Sequence, residues 1–259
     1  MSGLDSRLRG NDTREILSIP IEGLGMTEAV ERIEKSNKPV WFVTANPEIL
    51  LAAERDEKYA NVLRQADVRL VDGFGLWLAT LCQTRRVTGV AFAERLLQLA
   101  HDRAWRVGLF GGEVGEAEAS IPDIRRAYGE LEIRAEQGGR VTSTGEEDAE
   151  TEEARGRMMQ FSPQILLVAM GHPRQEAWIA KHRNDFPELK AVVGVGGTFM
   201  FWSGKAKRAP EAMQRFGIEW LWRLIVEPHR WKRIVNAVVV FPFFVLFHKK
   251  EQPSPDGKG

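Results

Sequence analysis

Three stretches of this chain end an apolar run on polar residues that could meet a ligand. In "LVDGFG" the run Leu70-Val71 stops at Asp72, next to Gly73. A strand should leave its sheet there, and the carboxylate should meet a pocket. In "VTANPEIL" Thr44 and Asn46 close a second run just before Pro47. Asn46 suits a helix N-cap, and Thr44 points into the same crevice as Asp72 if the two strands are neighbours. In "MGHPRQEAW" Pro173 falls in a first helical turn, so Arg174, Gln175 and Glu176 stand at a strand-to-helix junction. Gln175 has both donor and acceptor groups, suited to a sugar hydroxyl or a base edge. The plain alternative is a helix start whose acid complements the dipole, and the local pattern leaves the two open.

Two glycine turns also follow apolar runs, "LFGG" with Gly111 and Gly112, and "GVGG" with Gly196 and Gly197. Glycine lets backbone N–H groups approach a phosphate or sugar, and the next helix presents its positive end. Neither turn fits the dinucleotide fingerprint or the phosphate loop ending in Gly-Lys-Ser/Thr. The 5 histidines lack metal-ligand spacing, and no Asp-x-Asp pair marks a cation-bridged diphosphate site, so no catalytic metal or other cofactor is expected. The absence of a Gly-x-Ser-x-Gly elbow argues against acyl transfer. Cys82, the single cysteine, cannot form an intramolecular disulfide and is expected to be a small buried apolar residue in a reducing compartment.

These groups need a scaffold. From about Arg14 to Gly197, β-branched runs alternate with helical periodicity, with strands expected in 39–45, 67–73, 105–112, 131–136, 163–171 and 190–197. Several are apolar on both faces, as parallel strands covered by helices must be. The fold class is therefore α/β, a Rossmann-like three-layer parallel sheet spanning 14–203. The polar segment 137–153 reads as a surface loop running into a helix. Residues 1–13 lack the apolar stretch of a signal peptide and are expected to be disordered in a cytoplasmic protein; 251–259 form a polar tail.

Beyond Gly204 strand signals cease, and 204–250 reads as a basic, aromatic, helical appendage broken near Gly217 and Pro228. It carries ten Lys or Arg against three acids, a net +7, so a neutral chain is −7 elsewhere. Its apolar run 234–247 is shorter than the roughly 20 residues that span a bilayer. It should lie on a membrane or pack in a core. Arg223, Arg230, Lys232 and Arg233 beside Trp220, Trp222 and Trp231 suit an anionic membrane surface, the alternative being a solvated basic face.

Taken in order, "TANPE", "LVDGFG", "RVTG" (86–89), "LFGGEVGEAE", "MGHPRQE" and "GVGGTF" with the later "GIEWLWRLIVEPHRWKR" resemble the WecG/TagA/CpsF family of bacterial glycosyltransferases over roughly 17–233. The resemblance implies inverting, metal-independent transfer of an N-acetylmannosamine-type sugar from a UDP donor to an undecaprenyl-diphosphate-linked amino sugar, by a protein peripheral to the inner face of the cytoplasmic membrane. It implies Asp72 as general base, and Thr44 and Asn46 are expected to be catalytic residues with it. Gly111, Gly112, Gly171, Gln175, Glu176, Gly196 and Gly197 would hold the donor, and Arg223, Arg230 and Arg233 the acceptor diphosphate.

Two positions depart from the family pattern: Met200 and Ala91 stand where many relatives carry an acid. A missing carboxylate there alters contacts to the uracil or the sugar. No nucleic acid is expected as a partner, and association between copies of the chain is left open. The rival readings are a non-catalytic lipid-binding scaffold and another Rossmann-type nucleotide enzyme.

Overall fold

The computed structural model describes residues 13–216 and 218–247, without the side chains of 215, 216 and 230. Thr13, expected to be disordered with the N-terminus, instead pairs with Glu22 in a strand; residues 1–12 and the polar tail lie outside the described residues.

A hairpin opens the described chain, β1 (Thr13–Ile16) paired antiparallel with β2 (Ile19–Glu22). Then follow α1 (Met26–Lys35), β3 (Val40–Ala45), α2 (Pro47–Arg55), α3 (Glu57–Arg64), β4 (Val68–Val71), α4 (Phe74–Ala79) and α5 (Gly89–Arg103). The second half of the sheet comprises β5 (Val107–Gly111), α6 (Glu116–Tyr128), β6 (Ile133–Glu136), α7 (Ala149–Phe161), β7 (Ile165–Ala169), α8 (Arg174–His182), β8 (Ala191–Gly194) and α9 (Thr198–Trp202). Helices α10 (Glu211–Phe216), α11 (Glu219–Val226), α12 (Trp231–Val235) and α13 (Phe241–Phe247) close the described chain, with a π-helical stretch Asn236–Val240 joining the last two.

The expected strands form one parallel sheet of order β4-β3-β8-β7-β5-β6. Alternate residues feed two cores. Trp41, Val43, Phe110 and Leu166 pack on one face, Phe42, Leu109, Leu167 and Val193 on the other, which makes the three layers. Phe110 stacks on Trp178 of α8 at 4.7 Å between ring centroids, and Phe42 meets Phe92 of α5 at 4.8 Å. From β5 the chain moves outward to β6, and from β7 inward to β8. The strand order therefore reverses between β5 and β7, where an open α/β sheet leaves a crevice at its carboxyl edge.

Two findings depart from the sequence reading. Cys82 is exposed, not buried, because it sits with Leu81 in a left-handed turn that ends α4. The β1–β2 hairpin was not expected. Its Glu22 forms a largely buried ion pair with Arg69 and draws β2 against β4.

The helices after Gly204 return to the sheet domain. Phe241 is fully buried in the core that holds Trp41 and Leu76, and Pro242 is buried beside it. Their neighbours Val239, Phe243 and Phe247 are exposed, so the run 234–247 packs on one side and offers apolar surface on the other. Among the described residues no helix is long and apolar enough to cross a membrane.

Candidate active site

Adjacent parallel strands β3 and β4 bring Thr44 and Asp72 together, Ala45 being in register with Val71. The Asp72 amide donates to the Ala45 carbonyl at 2.7 Å, which fixes the point where the chain leaves the sheet. Asp72 Oδ2 then accepts the Gly89 N–H at 3.1 Å, from the first turn of α5, whose N-cap is Thr88. A Cβ on Gly89 would lie 3.1 Å from the Thr44 hydroxyl and 3.4 Å from Asp72 Oδ2, so a bare backbone is what fits between the two strand ends.

Asp72 keeps a partly exposed edge on a cavity of about 660 Å³ while its carboxyl is packed round by protein. Burial pushes that carboxyl up to about 6; the Gly89 N–H opposes the shift, Glu219 adds to it, and Arg223 and Arg86 pull the other way. The result is a more basic carboxylate that is still ionised at neutral pH.

Thr44 and Asn46 line the same cavity. The Thr44 hydroxyl donates toward the Gly194 carbonyl at 3.5 Å, across β3 and β8, while Asn46 caps α2, its Oδ1 accepting the Ile49 N–H at 3.0 Å. The Gln175 carbonyl accepts the Gly196 N–H at 3.2 Å, and its amide donates to Glu176 Oε1 at 2.7 Å. Glu176 does not line the cavity. It is buried behind the wall and accepts the Tyr59 hydroxyl at 3.1 Å. Burial raises its carboxyl above the usual range, Gln175 and Tyr59 opposing. The Tyr59 phenol is raised too, by burial first and then by Glu176. Tyr59, Glu176 and Gln175 thus form a buried chain that holds the β8–α9 glycine turn in place.

Gly171, Gly196 and Gly197 border the main cavity and a second of about 260 Å³ that adjoins it over the β5–β7 reversal. Gly111 and Gly112, at φ of 89° and 90°, line only the second, with Met200 shared between the two. Lys205, on the main cavity, is paired with the buried Glu116 of α6 at 3.2 Å.

The opposite wall comes from α11 and α12. Arg223 lines the cavity with its guanidinium 5.8 Å from the Phe201 ring centroid. Arg233 also reaches it, held by both oxygens of Glu48 at 2.8 and 2.7 Å, a pairing that keeps the Glu48 carboxyl below its usual range. The side chain of Arg230 lies outside the described residues.

Sequence reasoning had not marked Glu48, Gly89 or Phe201 as site residues. Glu48 and Gly89 stand inside the quoted motifs, in the first turn of α2 and at the start of α5, so motif position was the available signal. Phe201 offered none. Among the described residues no group of three or more His, Cys, Asp or Glu is placed to hold a metal ion.

The profile of the Glycosyl transferase WecG/TagA/CpsF family matches residues 14–255. Curated relatives named N-acetylglucosaminyldiphosphoundecaprenol N-acetyl-beta-D-mannosaminyltransferase align along almost the whole chain. That of Bacillus spizizenii W23 is 31% identical over 95% of this chain and 96% of the relative. That of Bacillus subtilis 168 is 32% identical over 93% of each. That of Staphylococcus aureus MRSA252 is 30% identical over 92% of this chain and 93% of its own length.

Proposed function

Because the chain belongs to the WecG/TagA/CpsF family of glycosyl transferases, we propose that it moves an N-acetylmannosaminyl group from UDP to N-acetylglucosamine carried on undecaprenyl diphosphate. The relatives' names support the sugar and the acceptor. Their β linkage fits inversion at an α-linked nucleotide sugar. The observation that carries the reading is the Asp72 carboxylate, held at about 6 on the floor of a cavity whose far wall bears Arg223.

Asp72 takes the proton of the acceptor hydroxyl as its oxygen attacks the anomeric carbon, and the bond to UDP breaks on the opposite face. The leaving diphosphate gains charge, which the N–H groups of the glycine turns and nearby cations stabilise without a metal. The nucleoside end occupies the smaller cavity over the β5–β7 reversal, beside Gly111 and Gly112, and the sugar extends toward Asp72.

Asp72→Asn tests this reading. It keeps a carbonyl for the Gly89 N–H but cannot accept the proton. Transfer should fall by roughly 10²–10⁴-fold while UDP still raises the melting temperature. Wild-type turnover by this variant would sink the base assignment.

A lipid-linked acceptor lies in a membrane, and the last helices have a surface to meet it. Trp231, Val235, Val239, Phe243 and Phe247 recur at every fourth position and are 52%, 39%, 60%, 64% and 71% exposed, respectively. Lys232 stands at the start of this stripe, whereas the neighbouring Arg233 is held by Glu48 on the cavity wall. Apolar side chains with a flanking cation suit an anionic interface, so the protein acts as a peripheral membrane enzyme.

A further inference from the structure

Residue Gly75, in the first turn of α4, touches the last helices more closely than any side chain would allow. A Cβ there would lie 1.7 Å from the Ala237 carbonyl oxygen and 2.8 Å from its carbon. No real Cβ tolerates such a contact with backbone, so any larger residue must displace the helix.

The carbonyl is free to turn outward for a reason written in the sequence. In the π-helical stretch Asn236–Val240 the Phe241 N–H is given to the Asn236 carbonyl, five residues back. The next donor in that register would be residue 242, which is proline and has no N–H. Ala237 thus loses both donors that a helix would offer it, and its oxygen takes the place of the missing Gly75 side chain. Phe241 and Pro242 bury themselves immediately beyond, against the core around Leu76.

We infer that Gly75 is a positioning residue, the notch into which the proline-released Ala237 carbonyl seats the C-terminal helices so that α11 and α12 stand over the active site. The inference rests on the reading of that cavity as the transfer site. Its path is short: Gly75 is three residues from Asp72, and the seated helix follows α11, which supplies Arg223, and α12, which supplies Arg233, to the opposite wall. Phe74 beside it meets Trp220 of α11 at 6.5 Å between ring centroids, a second contact on the same line. The joint therefore fixes the spacing between the carboxylate side of the cavity and its arginine side.

The test uses full-length Gly75→Ala and Gly75→Val, Pro242→Ala, which returns a donor to the helix, and Gly156→Ala as a control, because a Cβ at 156 meets nothing within 4 Å. Hydrogen exchange is followed by peptide, and transfer is measured from UDP-N-acetylmannosamine to a short-chain polyprenyl-diphosphate-GlcNAc. The Gly75 variants should exchange amides 231–247 roughly tenfold faster and leave the strands protected, Pro242→Ala doing so more weakly. The acceptor KM should rise roughly tenfold with the UDP-induced gain in melting temperature retained, since only the arginine side has moved. Gly156→Ala should match wild type in both. Unchanged exchange over 231–247 in the Gly75 and Pro242 variants overturns the joint, and faster exchange with an unchanged acceptor KM overturns its positioning role. If the wild-type chain transfers nothing, the transferase reading fails separately and exchange alone decides the joint.

Discussion

Asp72 shows what one residue contributes and costs. Its carboxyl is raised from 3.8 to about 6, so the folded chain holds this proton more tightly than the unfolded chain does. The stability linked to it is present at low pH and is lost as pH rises from about 4 through about 6; the ionised group then costs the fold up to about 3 kcal/mol. Asp72→Asn should therefore melt several degrees above wild type at pH 7.5, with the gap closing toward pH 4, while wild-type kcat/KM falls as pH drops below about 6. Equal melting temperatures at pH 7.5 would contradict the buried-charge account. Glu176 is also raised by burial, but it lies behind the cavity wall, where its side chain meets Tyr59 and Gln175. Glu176→Ala leaves the Tyr59 hydroxyl and the Gln175 amide unpaired in the core and should cost about 3 kcal/mol in denaturant unfolding, whereas Tyr59→Phe costs about 1. Asp72 was legible in sequence because an acid between a buried strand and a glycine has few structural uses. The role of Glu176 was not, because its partner Tyr59 is 117 residues away.

At the scale of elements, strand existence was readable and strand order was not. Apolar runs such as Ile165–Ala169 declare a doubly covered strand, but nothing local tells that β8 inserts between β3 and β7. That insertion brings the Gly194 carbonyl to Thr44 and so assembles the site from segments 150 residues apart. The β1–β2 hairpin escaped because its strands are four residues each and one contains Pro20. Gly89→Ala is an element-level test. The added methyl presses on Thr44 and Asp72 from the first turn of α5, so transfer should drop by roughly tenfold with little change in melting temperature. Unaltered transfer would mean that α5 does not set the Asp72 geometry.

For the whole molecule, the charge asymmetry read from sequence and the exposed apolar stripe found in the structure fall on the same C-terminal segment. Val239→Asp with Phe243→Asp should weaken co-sedimentation with anionic vesicles by roughly tenfold or more and spare UDP binding, because those side chains face away from the buried Phe241. Unchanged sedimentation would remove the membrane role of the stripe. The sequence could supply the stripe's composition, but which side stays outside depends on the π-helical turn and on Gly75, neither of which has a periodic signature. The most direct measurement is UDP release from UDP-N-acetylmannosamine in excess EDTA, with and without the short-chain polyprenyl-diphosphate-GlcNAc acceptor, followed by the anomeric configuration of the product. Acceptor-dependent release in EDTA and a β-linked product are predicted. Release that ignores the acceptor, stops in EDTA or gives an α linkage would contradict the inverting, metal-independent transfer built on Asp72.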